Sequence, residues 1–308
     1  MELLVVNFHY FREELYSSGI YPVSRQRLLN QVETLAKEHV FISQSELVQI
    51  IKSGLFPRKK FCLLTFDDGL KEQMGAFRLL ESKGIPSIFY VPTKPIASAT
   101  VLEVHQLHHV RTQHDDEDLF QLLDAAHGIS HHAFDTPMLA IQYRYDSDLS
   151  RKVKYFLNFE LGEVERKTFV QSIFSKLVND EGSFSRSLYM DIDDLRTLAA
   201  TGALGSHGST HCPLARLTPE EARKDMVESL DFLRTITGRI VSSFSYPYGG
   251  KSAISEQLGE ILKETSVTFA LTMERGVNSD SDFQRPFFLK RVDTNDAPGG
   301  KSSTGSLN

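Results

Sequence analysis

Apolar residues along this chain keep two rhythms. Short continuous runs, LLVVNF at 3–8, FCLLTF at 61–66 and SIFYV at 87–91, read as buried strands. Between them apolar positions recur at helical spacing. Leu28, Leu29, Val32, Leu35 and Ala36 do so within 24–39, and SELVQIIKSG forms a second helix that Gly54 closes. A further helix over 71–83 ends at Gly84. The strand runs are continuous, not alternating, so both of their faces are buried, which predicts a parallel α/β sheet or barrel.

The rhythm changes between Pro95 and Leu188. Segments such as VLEVHQLHHVR, DEDLFQLLDAA and KTFVQSIFSKLV are helical in pattern and strand-type runs are absent. This predicts a helical insertion, about 96–188, in an α/β frame. The frame resumes with the helix IDDLRTLAATG, the strand ALGS and a helix over 219–235 with Thr218 as N-cap and Pro219 in its first position. The strand IVSSFSY, a helix over 252–264 and the strands VTFALT and FFLKRV complete it. The expected organisation is one barrel domain over 1–293, carrying the insertion. A Gly/Ser/Pro-rich tail over 294–308 is expected to be disordered.

A length of 308 residues suits one large core or two modest ones, and 41% hydrophobic with 24% charged residues is ordinary for a globular protein. The net charge of -6 argues against a nucleic-acid partner. Cys62 and Cys212, the only cysteines, cannot build a disulfide framework or a thiolate zinc site. The N-terminus, MELLVVNFHYF, is followed by a polar turn ending at Pro22 and lacks the pattern of a signal peptide; no run approaches the roughly 20 apolar residues of a transmembrane helix. A cytoplasmic location is expected.

Three motifs fall at predicted strand ends, where functional residues of α/β barrels collect. In TFDDG, Asp67 and Asp68 can enter one pocket only if the chain turns, which Gly69 allows; alternatively an Asp caps the helix that follows. In SHGSTH, His207 and His211 are spaced to reach one metal ion, or are a chance pair in a polar loop. In FSYPYGG, Pro247 and two glycines shape a loop whose N–H groups can point inward.

Taken in order, TFDDG, SHGSTH and YPYGG resemble the polysaccharide deacetylase (NodB-homology, carbohydrate esterase 4) family over roughly 1–95 and 188–293. The resemblance implies a distorted (β/α) barrel holding a divalent metal, usually zinc. It implies Asp67 as general base, Asp68, His207 and His211 as metal ligands, and the Tyr248 backbone N–H, beside Pro247, at the oxyanion position. Such a site would cleave an N-acetyl group from an amino sugar: the metal polarises the carbonyl and acidifies water, and Asp67 takes the proton.

The chain departs from the commoner pattern in two places. FLKRV stands where that pattern has a Leu-x-His motif, and Ser245 where it has an arginine. The NFHYF segment is similar instead to the poly-N-acetylglucosamine deacetylase branch, which makes His9 the candidate acid, and Arg291 can replace the arginine that orients Asp67. His105, His108, His109, His127, His131 and His132 lie in the insertion with no matched acidic motif, so a wall of the substrate cleft or a homo-oligomer contact is expected there instead of a second metal. A cytoplasmic carbohydrate substrate, such as a lipid- or nucleotide-linked saccharide, follows from the expected location. The alternatives are hydrolysis of a small cyclic amide or imide on the same fold, and a non-catalytic carbohydrate-binding protein.

Overall fold

The computed structural model describes residues 1–14, 20–142 and 146–301, without the side chains of 141 and 142. Part of the turn before Pro22 therefore lies outside the described residues, as does the end of the tail, 302–308. The described chain falls into two compact units, one of 1–13, 22–100 and 185–308, the other of 14–21 and 101–184.

The first unit is a distorted (β/α) barrel built on one parallel sheet. Its strands are β1 (Glu2–Phe8), β2 (Val40–Phe41), β3 (Lys60–Phe66), β4 (Ser87–Val91), β5 (Leu204–Ser206), β6 (Ser243–Ser245), β7 (Phe269–Leu271) and β8 (Val292–Asp293). Their order is β7-β6-β5-β4-β3-β1-β8, with β2 beside β3. β1 and β3 pair over their full lengths, Asn7 opposite Thr65 and Phe8 opposite Phe66. Leu289, shortly before β8, bridges Leu271 of β7, and β8 pairs with β1, so the segment into β8 spans the gap between β7 and β1.

Residue parity along the strands decides what faces where. Leu4, Val6, Phe8, Cys62, Leu64, Phe66, Phe89 and Phe244 share a buried cluster with Leu28, Leu80, Leu198 and Leu233 of the surrounding helices. Leu3, Val5, Leu63, Ile88, Tyr90 and Leu271 form a second cluster, the filling of the barrel. Asn7, Thr65, Asp67 and Ser245 have this inward parity, since side chains alternate along a strand. On the outward face the Phe8, Phe66 and Phe89 rings stack at 4.9 and 4.7 Å, Phe8 and Phe66 being the last residues of their strands. Each such ring stabilises the unit by roughly 1.5–3 kcal/mol on burial.

Helices α1 (Arg25–Leu35), α2 (Gln44–Ser53) and α3 (Gln73–Glu81) connect the first strands. Ser24 caps α1, Ser43 and Glu46 form a capping box at α2, and Gly54 ends α2 at φ 66. After β4 the described chain runs through α4 (Lys94–Ser98), α5 (Glu103–Gln113), α6 (Asp116–His127), α7 (Thr136–Gln142), α8 (Asp148–Tyr155), α9 (Glu163–Leu177) and α10 (Glu181–Leu188). α11 (Ile192–Ala200), α12 (Pro219–Thr237) and α13 (Glu256–Lys263) belong to the barrel frame. α12 starts at the expected Thr218 and Pro219 and is closed by Gly238.

The second unit has its own core of Val110, Leu119, Leu123, Val153, Phe169, Val170, Ile173 and Phe174. Arg111, 4% exposed, is neutralised there by Asp116 at 2.8 Å and bonded to Ser150 at 2.9 Å. No helix among the described residues is long and apolar enough to cross a membrane.

Two expectations change. FFLKRV is a strand only at its end, because Pro286–Phe288 form a 3-10 turn and pairing with β1 starts at Val292. The tail expected to be disordered from Thr294 is packed up to about Gly300. Thr294 donates to Gln31 Oε1 at 2.6 Å and its carbonyl accepts from Gln31 Nε2 at 2.8 Å, while Ala297 is buried. Satisfied hydrogen bonds to α1 outweigh the flexibility its composition suggested.

Candidate active site

The site residues gather at the C-terminal ends of the strands: His9 after β1, Asp67 and Asp68 after β3, His207 after β5, Pro247 and Tyr248 after β6. Arg291 immediately precedes β8. Asp67 continues the inward parity of β3 and is 2% exposed. Asp68 would point away, but its backbone turns to φ 82, followed by Gly69 at φ 62. A Cβ on Gly69 would meet Val91 Cγ1 at 2.8 Å, so glycine is required for both its conformation and its packing. The turn is held by Gln73 of α3, fully buried, whose amide donates to the carbonyls of His9 at 2.8 Å and Asp67 at 2.5 Å.

SHGSTH is a loop, not a helical turn. Asp225 of α12 shapes it by accepting from the Ser209 N–H at 2.7 Å and the Thr210 N–H at 2.9 Å. Gly208 turns at φ 73, where a Cβ would lie 2.6 Å from Asp225 Oδ1, and His211 takes φ 59. The two imidazoles thereby approach to 4.9 Å between centroids. His211 Nε2 lies 3.2 Å and His207 Nε2 3.6 Å from Asp68 Oδ1. One ligand atom from each of the three lies within 4.8 Å of the others, and all three residues are buried. His207 Nδ1 donates to the Ser245 carbonyl at 2.7 Å, which leaves Nε2 with its lone pair toward Asp68. Two imidazoles and one carboxylate, one ring already held in its ligating tautomer, fit a divalent cation with open positions.

Asp67 lies beside this group and makes a different set of bonds. Arg291, fully buried, reaches its Oδ1 at 3.0 Å and Oδ2 at 2.9 Å. The guanidinium also donates to Ser245 Oγ at 2.9 Å, Asn7 Oδ1 at 3.1 Å and the Thr272 carbonyl at 2.8 Å. Asn7 Nδ2 and Ser245 Oγ each donate to Asp67 Oδ2 at 3.2 Å. Burial works to raise the Asp67 carboxyl, but Arg291, His207 and His9 outweigh it and hold the group below its ordinary range. His9, partly buried, is the last and smallest of these influences. Burial works to lower His207, and Asp67 and Asp68 outweigh it and raise the ring. Tyr10 is buried close to Asp68, and burial first, then the Asp68 charge, raises its hydroxyl well above the ordinary value.

Tyr248 adopts φ 62 in the loop after β6, with its ring 5.1 Å from that of His211 and 48% of the residue exposed. The loop is tied down where the Gly249 N–H donates to the Pro247 carbonyl and the Met273 N–H to the Gly249 carbonyl, both at 2.8 Å. The sequence reading missed Asn7, Gln73 and Asp225. Asn7 and Gln73 are polar positions in otherwise apolar patterns, a faint signal; Asp225 looks like any acid on a solvated helix. Within the second unit, His109 packs on Phe174 and Phe184, His127 on Phe169, and His132 on Phe134 and Phe156. Among the described residues only Asp68, His207 and His211 form a group able to hold a metal. Cys212, next to His211, is outside it, and Cys62 is a core thiol that burial pushes far up.

Comparison with known proteins points the same way. The polysaccharide deacetylase family model matches residues 175–270, a stretch that includes both site histidines and the loop of Tyr248. The resemblance read from the motifs is thus found independently, and the fold is that of polysaccharide deacetylases. The deacetylase PplD of Streptococcus pyogenes, solved in complex with acetate, is similar with TM-score 0.59 and 13% identity over 95% of this chain and 92% of that one. IcaB from Ammonifex degensii gives 0.56 and 17% over 94% and 91%. A de-N-acetylase from Aggregatibacter actinomycetemcomitans gives 0.57 and 11% over 95% and 94%. No curated protein matches the chain.

Proposed function

We propose that this chain is a metal-dependent carbohydrate N-deacetylase that releases acetate from an N-acetylated amino sugar. The observation that carries this reading is the convergence of Asp68, His207 and His211 beside an Asp67 that belongs to a separate, Arg291-bonded network. Asp68, His207 and His211 would hold a divalent cation, zinc by the character of the donors. Bound there, the cation supplies Lewis-acid polarisation of the acetamide carbonyl and makes water more acidic.

Asp67, ionised by its surroundings, accepts the proton of the attacking water. The backbone N–H of Tyr248, beside Pro247, donates to the oxygen on which negative charge develops. As the C–N bond breaks, His9 delivers a proton to the nitrogen, so that acetate and a free amine result. Arg291 holds the Asp67 carboxylate in place. The proposed substrate is a saccharide, or its lipid- or nucleotide-linked precursor, met in the cytoplasm.

The reading is tested by assaying the zinc-loaded protein for acetate release from N-acetylamino-sugars. Asp67→Asn should abolish release and leave zinc bound, and His9→Ala should lose turnover with unchanged zinc affinity. Normal turnover by Asp67→Asn refutes the assigned base. A wild type that binds zinc and saccharide without turnover supports a binding protein instead.

A further inference from the structure

Asn7 stands at the centre of the polar network under the site, and its side-chain amide uses every hydrogen-bonding position it has. Its Nδ2 donates to Asp67 Oδ2 at 3.2 Å and to Met273 Sδ at 3.6 Å. Its Oδ1 accepts from Arg291 at 3.1 Å and lies 3.1 Å from Thr65 Oγ1, whose one proton it shares with the Val6 carbonyl. Two donors and two acceptor positions are the full capacity of the group. The residue is completely buried, so water does not replace any of these partners. Turning the amide over would set its oxygen against the Asp67 carboxylate and its NH2 against the guanidinium, two repulsions in place of two bonds. One orientation is therefore imposed.

The strand supplies the rigidity. Asn7 is paired with Thr65 on one side and with Asp293 on the other, near the end of β1, and Thr65 Oγ1 is itself anchored on the Val6 carbonyl at 3.0 Å. Arg291 alone holds both Asp67 oxygens, and it is itself held by the Thr272 carbonyl and by Ser245 Oγ, which also donates to Asp67 Oδ2. Asn7 bonds both members of the pair from β1, as Ser245 does from β6, so the pair is held from two strands. Two residues further along the chain is His9.

We propose that Asn7 is a positioning residue that fixes the plane of the Asp67 carboxylate, so that β1 aligns the base through Asn7 and presents the acid through His9. The inference rests on the reading of Asp67 as the base of a deacetylase. A misplaced base oxygen slows proton removal while leaving saccharide binding intact, so kcat carries the effect and KM does not.

The test compares Asn7→Leu, of similar size but without polar atoms, with Gln31→Leu, which likewise empties a fully buried amide of its hydrogen bonds but whose partner is Thr294 and not Asn7, Asp67 or Arg291. Both should lose similar stability. Asn7→Leu should lower kcat about 100-fold with KM and calorimetric zinc affinity unchanged, and Gln31→Leu less than about tenfold. If the leucine prevents folding, Asn7→Ala takes its place. A wild-type kcat in the Asn7 variant, or a loss of kcat matched by an equal loss of zinc affinity, overturns the proposal. Crystal structures of the variants decide it without any substrate: the Asp67 carboxylate should be rotated in the Asn7 variant and unmoved in Gln31→Leu. An unmoved carboxylate in both overturns the role of Asn7. A wild type that releases no acetate overturns only the deacetylase reading.

Discussion

Replacing Arg291 with methionine should be among the most damaging single changes in the barrel. The side chain is fully buried and makes four hydrogen bonds, one of them to Asp67 Oδ1, with an ion-pair contact to Asp67 Oδ2 besides. Methionine fills much of the volume, so the loss is electrostatic. At an effective dielectric of about 20, opposite charges about 4 Å apart attract by about 4 kcal/mol. Removal of one member of a buried pair costs about 3–5 kcal/mol, because the other charge is left bare. Urea denaturation of the metal-free protein should therefore show a fall of about 3–5 kcal/mol.

Asp67→Asn should be destabilising in the same way, by leaving the guanidinium bare. The double variant should lose about 2–3 kcal/mol less than the sum of the two. The pH dependence has a definite sign. In the wild type Asp67 lies below its ordinary 3.8, so its stabilisation is present above that value and lost as pH falls through the folded value. Burial is already the largest single influence on Asp67, and without Arg291 its main opponent is gone, which lifts the carboxyl. The acid limb of the kcat/KM profile should then move to higher pH. A loss under about 1 kcal/mol for Arg291→Met, or an unmoved acid limb, refutes the assignment of Arg291 as counter-charge to the base.

Zinc at about a hundred times its Kd should stabilise the protein by about 2.7 kcal/mol, and His207→Gln or EDTA should remove that gain in a thermal melt; a zinc shift that survives in His207→Gln places the metal elsewhere. Without metal, His207 lies above its ordinary 6.5, so its stabilisation is full below that value and lost as pH rises through the folded value, whereas zinc requires the neutral ring. Melts from about pH 5.5 to about pH 8.5 should show zinc-free stability falling and the zinc increment growing, and parallel curves contradict the linkage. Gly69→Ala should destabilise by about 1–3 kcal/mol and weaken zinc binding, since Val91 Cγ1 lies 2.8 Å from the added Cβ; unchanged zinc affinity separates the turn from the site.

The frame was legible because its signals are local. The apolar runs of β1, β3 and β4 need only their own residues to be recognised, and the caps Thr218 and Gly54 mark helix ends with their own chemistry. Asp67, Asp68, His207 and His211 were legible as motifs, and so was a role for Arg291 as a substitute guanidinium. What the sequence withheld is long-range pairing. Nothing near Asn7 or Ser245 announces that a residue at 291 lies between them. Nothing in α12 sets Asp225 apart as the group that folds the SHGSTH loop. The tail misled because composition reports the flexibility of a free chain, and Thr294 is not free: Gln31 binds both its hydroxyl and its carbonyl.

Among the described residues four non-glycines hold positive φ, and Asp68, His211 and Tyr248 are three of them. L-residues adopt that backbone at about 1–2 kcal/mol each, so the site sits on stored strain. A directed-evolution campaign scored on heat resistance alone would find its easiest gains here, with Asp68→Gly and His211→Gly relaxing the loops. Each gain would erase a proposed metal ligand, so the fittest survivors of such a screen would be sturdy barrels without the proposed chemistry. Any stabilisation of this scaffold has to be selected with turnover as a second criterion.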